Sequence, residues 1–456
     1  MNSKTTMIND LTEGNLTRQL IVFSIPFMLS NLLQSLYSII DMVVVGQFVG
    51  SVGLSSVSVG SQIISFFTWL GIGYATAGQV MIGQYVGTHD LKGVERTIGT
   101  LFTLMLSAAV VLGAIGIALA GPVLRVMNTP DEAFAGARSY MCTCCAGMIF
   151  TFGYNIVSSI LRGMGESTRP FVFIAIAAVT NLVLDLLFVA VLHWSVFGAA
   201  LATIIGQAVS FIVSIIYLYI RREQFGFDFR PASFRPHGPT AANLTRLGAP
   251  MALQSAAISL SCMFTSACVN AYGVAASAIT GVGTKLMDLS NVVTRAISNA
   301  GATVVAQNMG AKKYDRVKKY VRVSFVLCVV TMGAFGLVCG LFPEWVIGLF
   351  DSDPATLALV PRYMVTLLVG FGANALMTPY YAVINGIGYA SLSFVIGILD
   401  GVVGRIGIAL LLGRALGMGL DGYWYGQQLA GYVTAICSAA YYYTGRWKTH
   451  ELLINK

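Results

Sequence analysis

Apolar residues run along this chain in long, almost unbroken blocks separated by short polar stretches. Twelve blocks stand out, at about 19–45, 53–80, 97–120, 139–161, 170–192, 197–220, 243–269, 276–305, 321–342, 362–384, 391–413 and 422–444. A helix needs roughly 20 mostly apolar residues to cross the hydrocarbon core of a bilayer, and each block is long enough. Membrane β-strands would instead be alternating runs of about ten residues, and these blocks are too long and too continuously apolar. The pattern predicts an all-α integral membrane protein with twelve transmembrane helices. The second and eighth blocks are interrupted by glycine and polar residues, so their signal is weaker.

The blocks repeat. Residues 83–94 read GQYVGTHDLKGV and residues 306–317 read AQNMGAKKYDRV, so Gln84-x-x-Gly87 returns as Gln307-x-x-Gly310, 223 positions later. The same offset pairs Gly60 with Gly283, Gly78 with Gly301, Met127 with Phe350, Tyr140-Met141 with Tyr363-Met364, and Gly163-x-Gly165 with Gly386-x-Gly388. Pro26 pairs with Pro250 at 224. Self-similarity held at one register over so long a stretch marks a duplication. Six spans per half is an even number, so the two six-helix bundles should share one orientation, related by an axis along the membrane normal. The expected division is a first lobe at 1–220, a Pro- and Arg-rich linker at 221–240, a second lobe at 241–445 and a tail at 446–456. Two similar bundles around a shared cavity suit alternating access.

Composition agrees with the pattern: 56% of residues are hydrophobic and 10% are charged, against about a quarter charged in soluble domains. The formal charge of +8 is distributed by side. With the N-terminus in the cytoplasm, twenty lysines and arginines fall on that side, from Lys4 and Arg18 to Lys448 and Lys456. Four fall opposite: Arg125, Arg138, Arg362 and Arg414. By that bias both termini are expected in the cytoplasm; the expected location is the plasma (inner) membrane, and nucleic acid is not an expected partner. Residues 1–18 are polar and hold Asp10 and Glu13, so no cleavable leader is expected. The eight cysteines lie in apolar blocks that contain no histidine, so Cys142, Cys144 and Cys145 read as packing residues rather than zinc ligands.

Carboxylates inside spans are costly and usually functional. The first half has Asp41 and Asp185; their counterparts in the second half are Phe264 or Thr265, and Ile408. Gln34, Tyr37 and Asp41, spaced by three and four, form one polar stripe on the first span, and Asn181 and Asp185 share a face of the fifth. At 1.5 Å per residue, Asp185 lies roughly 24 Å beyond Arg169, and Thr203 roughly 9 Å into the sixth span from the opposite side. These groups meet if the first, fifth and sixth spans pack together. Two carboxylates, an amide oxygen and hydroxyls can hold a proton or coordinate Na+ at Asp41, Asn181, Asp185 and Thr203. Alternatively, Asp41 only caps a fraying helix. Pro26 removes a hydrogen bond from the helix that carries Asp41 and is a candidate hinge, or a static kink. In the second half Lys285, Asp288, Arg295, Asp400 and Arg405 lie in or near spans without an assigned role. Lys285 and Asp288, three apart, are expected to neutralise each other.

Over nearly its whole length the chain resembles the multidrug and toxic compound extrusion (MATE) family. The residues that carry the likeness are the duplicated twelve spans, the two Gln-x-x-Gly loops, Arg162-Gly163-x-Gly165, Asn181-x-x-x-Asp185 and Gly198-Ala-Ala-Leu-Ala-Thr203. It is most similar to the DinF-like and MepA-like prokaryotic exporters, whose first-lobe site it matches at Pro26, Gln34, Tyr37, Asp41, Asn181, Asp185 and Thr203. It departs from the NorM-like branch: residues 243–269 and 363–384 hold no Asp or Glu, so a second-lobe cation site of that kind is not expected. The resemblance implies a monomeric, proton- or sodium-driven exporter of bulky, often cationic organic molecules, with lipid around it and no organic cofactor. A lipid-linked saccharide flippase of the same superfamily shares the scaffold and is the competing reading. An enzyme is not expected, since no nucleophile has a plausible base partner.

Overall fold

The computed structural model describes residues 8–127, 129–350, 353–452 and 454; Lys4, Lys456 and the very end of the tail lie outside them. Among the described residues every regular element is helical. The long helices are α1 (Leu16–Gly87), α2 (Leu91–Val126), α3 (Asp131–Ala146), α4 (Met148–Gly163), α5 (Thr168–Asp185) and α6 (Ser195–Ile220), followed by α7 (Gly238–Asn270), α8 (Val274–Gly310), α9 (Tyr314–Leu341), α10 (Val360–Ile387), α11 (Ala390–Ile398) and α12 (Leu420–Tyr443). Two of them continue as π-helix, α5 through Leu186–Val191 and α11 through Leu399–Ile408.

The twelve spans map onto these helices unevenly. At 72 residues α1 holds two spans, divided at Gly50, whose φ of 81° and ψ of −169° break the helical path. A residue with a Cβ disfavours that backbone, and glycine does not. Helices α3 and α4 are one span bent by 49°. Among the described residues, length and apolarity together single out eight helices, or nine with the bent pair. Helices α8 and α12 complete the set: they are long enough but more polar, α8 because it carries Lys285, Asp288 and Arg295.

The duplication is written into the backbone. Positive φ recurs at Gly50 and Gly273, at His89 and Lys312, and at Gly165 and Gly388, each pair 223 positions apart; His193 and Gly417, then Ser195 and Gly419, follow at 224. Packing repeats too. A Cβ on Gly163 would lie 2.7 Å from the Gln79 carbonyl and 3.0 Å from Ile82, and one on Gly386 would lie 2.7 Å from the Ala302 carbonyl and from Val305. Gly60 faces Tyr140 as Gly283 faces Tyr363. The paired glycines therefore mark the same helix crossings in each half.

The chain forms two compact units, one built mainly from Ile25–Ala252, the other from Leu253–Asn455 together with Leu11–Ser24. In the first unit the segment after α6 is docked rather than loose. Phe225, Phe227, Phe229 and Phe234 form an edge-to-face cluster that extends to Phe102, and the His237 amide donates to Thr100 Oγ1 at 3.1 Å. In the second unit Leu11–Ser24 is strapped down by the loop after Gln307-x-x-Gly310. The Arg316 guanidinium donates to the carbonyls of Leu11, Glu13 and Gly14 and to Gln19 Oε1, and Lys313 Nζ donates to Thr12 and pairs with Glu13 at 3.3 Å.

Candidate functional site: a paired carboxylate centre in the first unit

Small residues bring α5 and α6 together. A Cβ on Gly206 would lie 2.9 Å from the Ala177 carbonyl and 3.2 Å from the Asn181 Cβ, so the two helices meet backbone to side chain at that level. Ala199, Ala200 and Ala202, one to two turns earlier, are fully buried. Small-residue seams of this kind let membrane helices approach and place polar side chains across the contact. The seam sets Asn181 Nδ2 3.4 Å from Thr203 Oγ1, whose own hydroxyl hydrogen goes to the Ala199 carbonyl at 3.1 Å.

The acids converge on this seam. Asp41 is 8% exposed although Ile40 and Met42 on either side face outward, and Asp185 is fully buried between exposed Val183 and Leu186. The helices therefore turn these two carboxylates inward by choice of face. The two carboxyl groups lie side by side, within reach of a shared proton. One Asp41 oxygen and both Asp185 oxygens are buried without a hydrogen-bond donor from the protein. Two ionised carboxylates so placed would repel each other in a low-dielectric site, and a proton or cation held between them removes that repulsion. Past Asp185 the helix widens into a π-turn, a feature common at functional sites.

Tyr37, Asn181 and Thr203 line one small cavity with Ala177, Ala178 and Gln207. Its volume of about 10 Å³ is room for a single water-sized body. The donor set around it is all oxygen apart from amide nitrogens, which suits a proton or a hard cation. Gln34, one turn before Tyr37, is half-buried and does not line this cavity. Pro26 sits inside an unbroken helical stretch, where Ser30 Oγ donates to the Pro26 carbonyl at 2.7 Å; the break in α1 is at Gly50. Gln207 is the residue missed by sequence reasoning: it is buried, its Oε1 has no partner, and its place four residues after Thr203 was the available signal. All eight cysteines are free thiols, and Cys144 lies in the apolar cluster with Tyr140 and Val196.

The second unit holds Asp288 and Asp400 differently, each against an arginine. Asp288 pairs with Arg295, at 3.8 Å, rather than with Lys285. Seven residues are almost two full turns, so the long guanidinium lies on the same face and reaches back. Asp400, 3% exposed, accepts from Arg405 Nε at 3.1 Å and from Thr434 Oγ1 at 3.3 Å. Five residues apart would put the pair on different faces of an α-helix; the π-helix of Leu399–Ile408, with its i to i+5 spacing, lines them up. At the offset of 223 that sets Asp185 against Ile408, Asn181 falls on Gly404, next to Arg405.

Comparison with known proteins agrees with this architecture. The MatE family profile matches residues 26–187 and again 250–411, well over half of the chain. Probable multidrug resistance protein YpnP of Bacillus subtilis is 29% identical over 454 residues, covering 98% of this chain and 99% of that protein. Probable multidrug resistance protein NorM of Thermotoga maritima is 23% identical over 446 residues, 96% of this chain and 94% of that one. A multidrug resistance MATE family transporter of the MOP superfamily, solved in its outward-facing conformation, superposes with a TM-score of 0.89 at 22% identity over 96% of this chain and 98% of that one. The duplicated helical bundles and the doubled profile match lead to one conclusion: this chain belongs to the MatE family of multi-pass membrane transporters.

Proposed function

We propose that the chain is a multidrug efflux antiporter of the plasma (inner) membrane, working as a monomer without an organic cofactor or a catalytic step. It exports bulky, often cationic organic molecules against an inward flow of protons or Na+, with both termini in the cytoplasm. The observation that carries the reading is the buried pair Asp41 and Asp185, present in one half of a duplicated scaffold and short of hydrogen-bond donors. Tyr37 and Asn181 lie near the pair, and with Thr203 they supply neutral oxygens to a small cavity that the two acids do not themselves line. In this reading the pair takes up a proton or cation from one side, and its release to the other accompanies the change of access that carries the drug outward. Pro26, in the helix that bears Asp41, is the proposed point of flexure.

The relatives named above support drug export, and the charge balance of the second unit supports it over flipping of a lipid-linked saccharide. A pyrophosphate-bearing substrate would want several unpaired cations along its path, whereas Arg295 and Arg405 are each engaged by an aspartate, which leaves Lys285 alone of the three without an acidic partner among the described residues. The test is substrate accumulation in everted vesicles energised in turn by proton and sodium gradients. Accumulation driven by one gradient, and lost in Asp185→Asn at normal expression, is expected. Gradient-independent movement, or full activity of the variant, would overturn the proposal.

A further inference from the structure

We propose that the second unit carries a binding site for a phosphate group on its Lys- and Arg-rich membrane face, formed by the start of α9 and the segment after α12. A cavity of about 400 Å³ opens there, lined by Lys312, Lys313, Arg316, Lys318 and Lys448 with a single carboxylate, Asp315. Five cations against one acid make an anion the matching occupant, and the volume accommodates a phosphate ester with a substituent. The cations are not equally engaged. Lys313 and Arg316 hold the Leu11–Ser24 strap, and Lys318 pairs with Asp315 at 2.8 Å. Lys448 lies 5.7 Å from the Trp447 ring, and Lys312 is exposed at the rim without an acidic partner among the described residues.

Two further observations point the same way. The charge is peculiar to this half: Lys312–Arg322 holds six cations and one acid, while the matching stretch 89–99 balances Lys92 and Arg96 against Asp90 and Glu95. A shared orienting role would have charged both loops alike. The cavity also adjoins an aromatic cluster: Trp447 stacks on Tyr442 and meets Tyr314 edge-on, and Tyr380 and Tyr443 share a hydroxyl contact of 3.1 Å. Tyrosine and tryptophan collect at headgroup level, and basic groups beside a span end attract acidic lipid. The phosphate can thus come from an acidic phospholipid or from a soluble phosphate compound, and the experiment separates them.

The measurement uses the purified full chain in detergent, with bound lipid read by native mass spectrometry and binding by thermal shift. Probes are phosphatidylglycerol, phosphatidylcholine and inorganic pyrophosphate. Lys312→Gln with Lys448→Gln is compared with Lys92→Gln, which removes charge from the matching loop of the first half. Both lysines are on the surface, and an unchanged melting temperature without ligand shows that the fold is intact. Expected is binding of a net anionic probe, phosphatidylglycerol or pyrophosphate, that falls about fivefold per lysine removed, is unchanged in Lys92→Gln, and weakens in about 0.5 M salt. Phosphatidylglycerol held in preference to pyrophosphate assigns the site to lipid; the reverse assigns it to a soluble phosphate. Equal binding by the double variant and the wild type, or phosphatidylcholine held as tightly as the acidic probes, would overturn it.

Discussion

Gly206→Ala tests whether the close approach of α5 and α6 is what assembles the carboxylate centre. The added Cβ would stand 2.9 Å from the Ala177 carbonyl oxygen and 3.2 Å from the Asn181 Cβ. Ordinary van der Waals contact begins near 3.4 Å, and the nearest atom is backbone, so it cannot swing aside. The helices must part by roughly half an ångström, and overpacking of this kind typically costs about 1–3 kcal/mol. Function should suffer more than the fold. The Asn181 to Thr203 contact is already 3.4 Å long, and a further half ångström of separation takes it beyond hydrogen-bonding range. Gly121→Ala in α2 is the matched control, because nothing lies within 4 Å of its Cβ; alanine there is expected to be neutral, or to stabilise by up to about 1 kcal/mol. Melting temperature of the detergent-purified protein and drug efflux from energised vesicles are measured for both. Gly206→Ala is expected to melt lower and to lose most gradient-driven efflux. Equal melting and efflux in the two variants would refute the argument that this crossing sets the site.

Asp41→Asn keeps shape and hydrogen bonding but removes the titration; if Asp41 couples, equilibrium drug binding persists while gradient-driven efflux is lost, and near-normal efflux would reduce it to a cap. Ile408→Ala, at the matching place of the second half, should transport nearly as well as wild type, and a loss equal to that of Asp185→Ala would contradict the asymmetry. Arg405→Gln leaves Asp400 buried without its cation and should destabilise by about 3–5 kcal/mol; Asp400→Asn with Arg405→Gln should recover much of that loss in thermal unfolding, which a pair of no structural worth would not do. In the linker, the Ser233 hydroxyl foremost, then the Arg230 amide and guanidinium, hold Asp228 below the usual carboxylate range. A lowered pKa contributes stability that is present above about pH 4 and fades as pH falls through the lowered value. Asp228→Asn should therefore speed chymotrypsin cleavage after Phe229 and Phe234 at neutral pH, and identical cleavage rates would count against the contact.

Much of this protein was legible before any fold was known, because a bilayer imposes simple rules. Uninterrupted apolar blocks have to be helices, since lipid offers backbone groups no partner. The duplication was readable because glycine tolerates close packing where other residues do not: Gly163 and Gly386 recur at a fixed offset, as do the crossings they serve. Asp41, Asn181, Asp185 and Thr203 stood out as polar groups on apolar helices, and helical spacing put them on matching faces. Other features depended on distance through space. Gln207 joins the cavity only because α5 and α6 touch at Gly206. Asp288 prefers Arg295 to Lys285 because reach and face outweigh nearness in sequence. Asp400 and Arg405 pair only where the helix turns as a π-helix, a change of pitch that leaves no local mark in composition. The strap of Leu11–Ser24 on Arg316, some 300 residues away, is likewise out of reach of any short pattern. Periodicity along the chain therefore determined which residues face inward, while their partners were decided by tertiary packing, where energies depend on separation in space and not on position in the sequence.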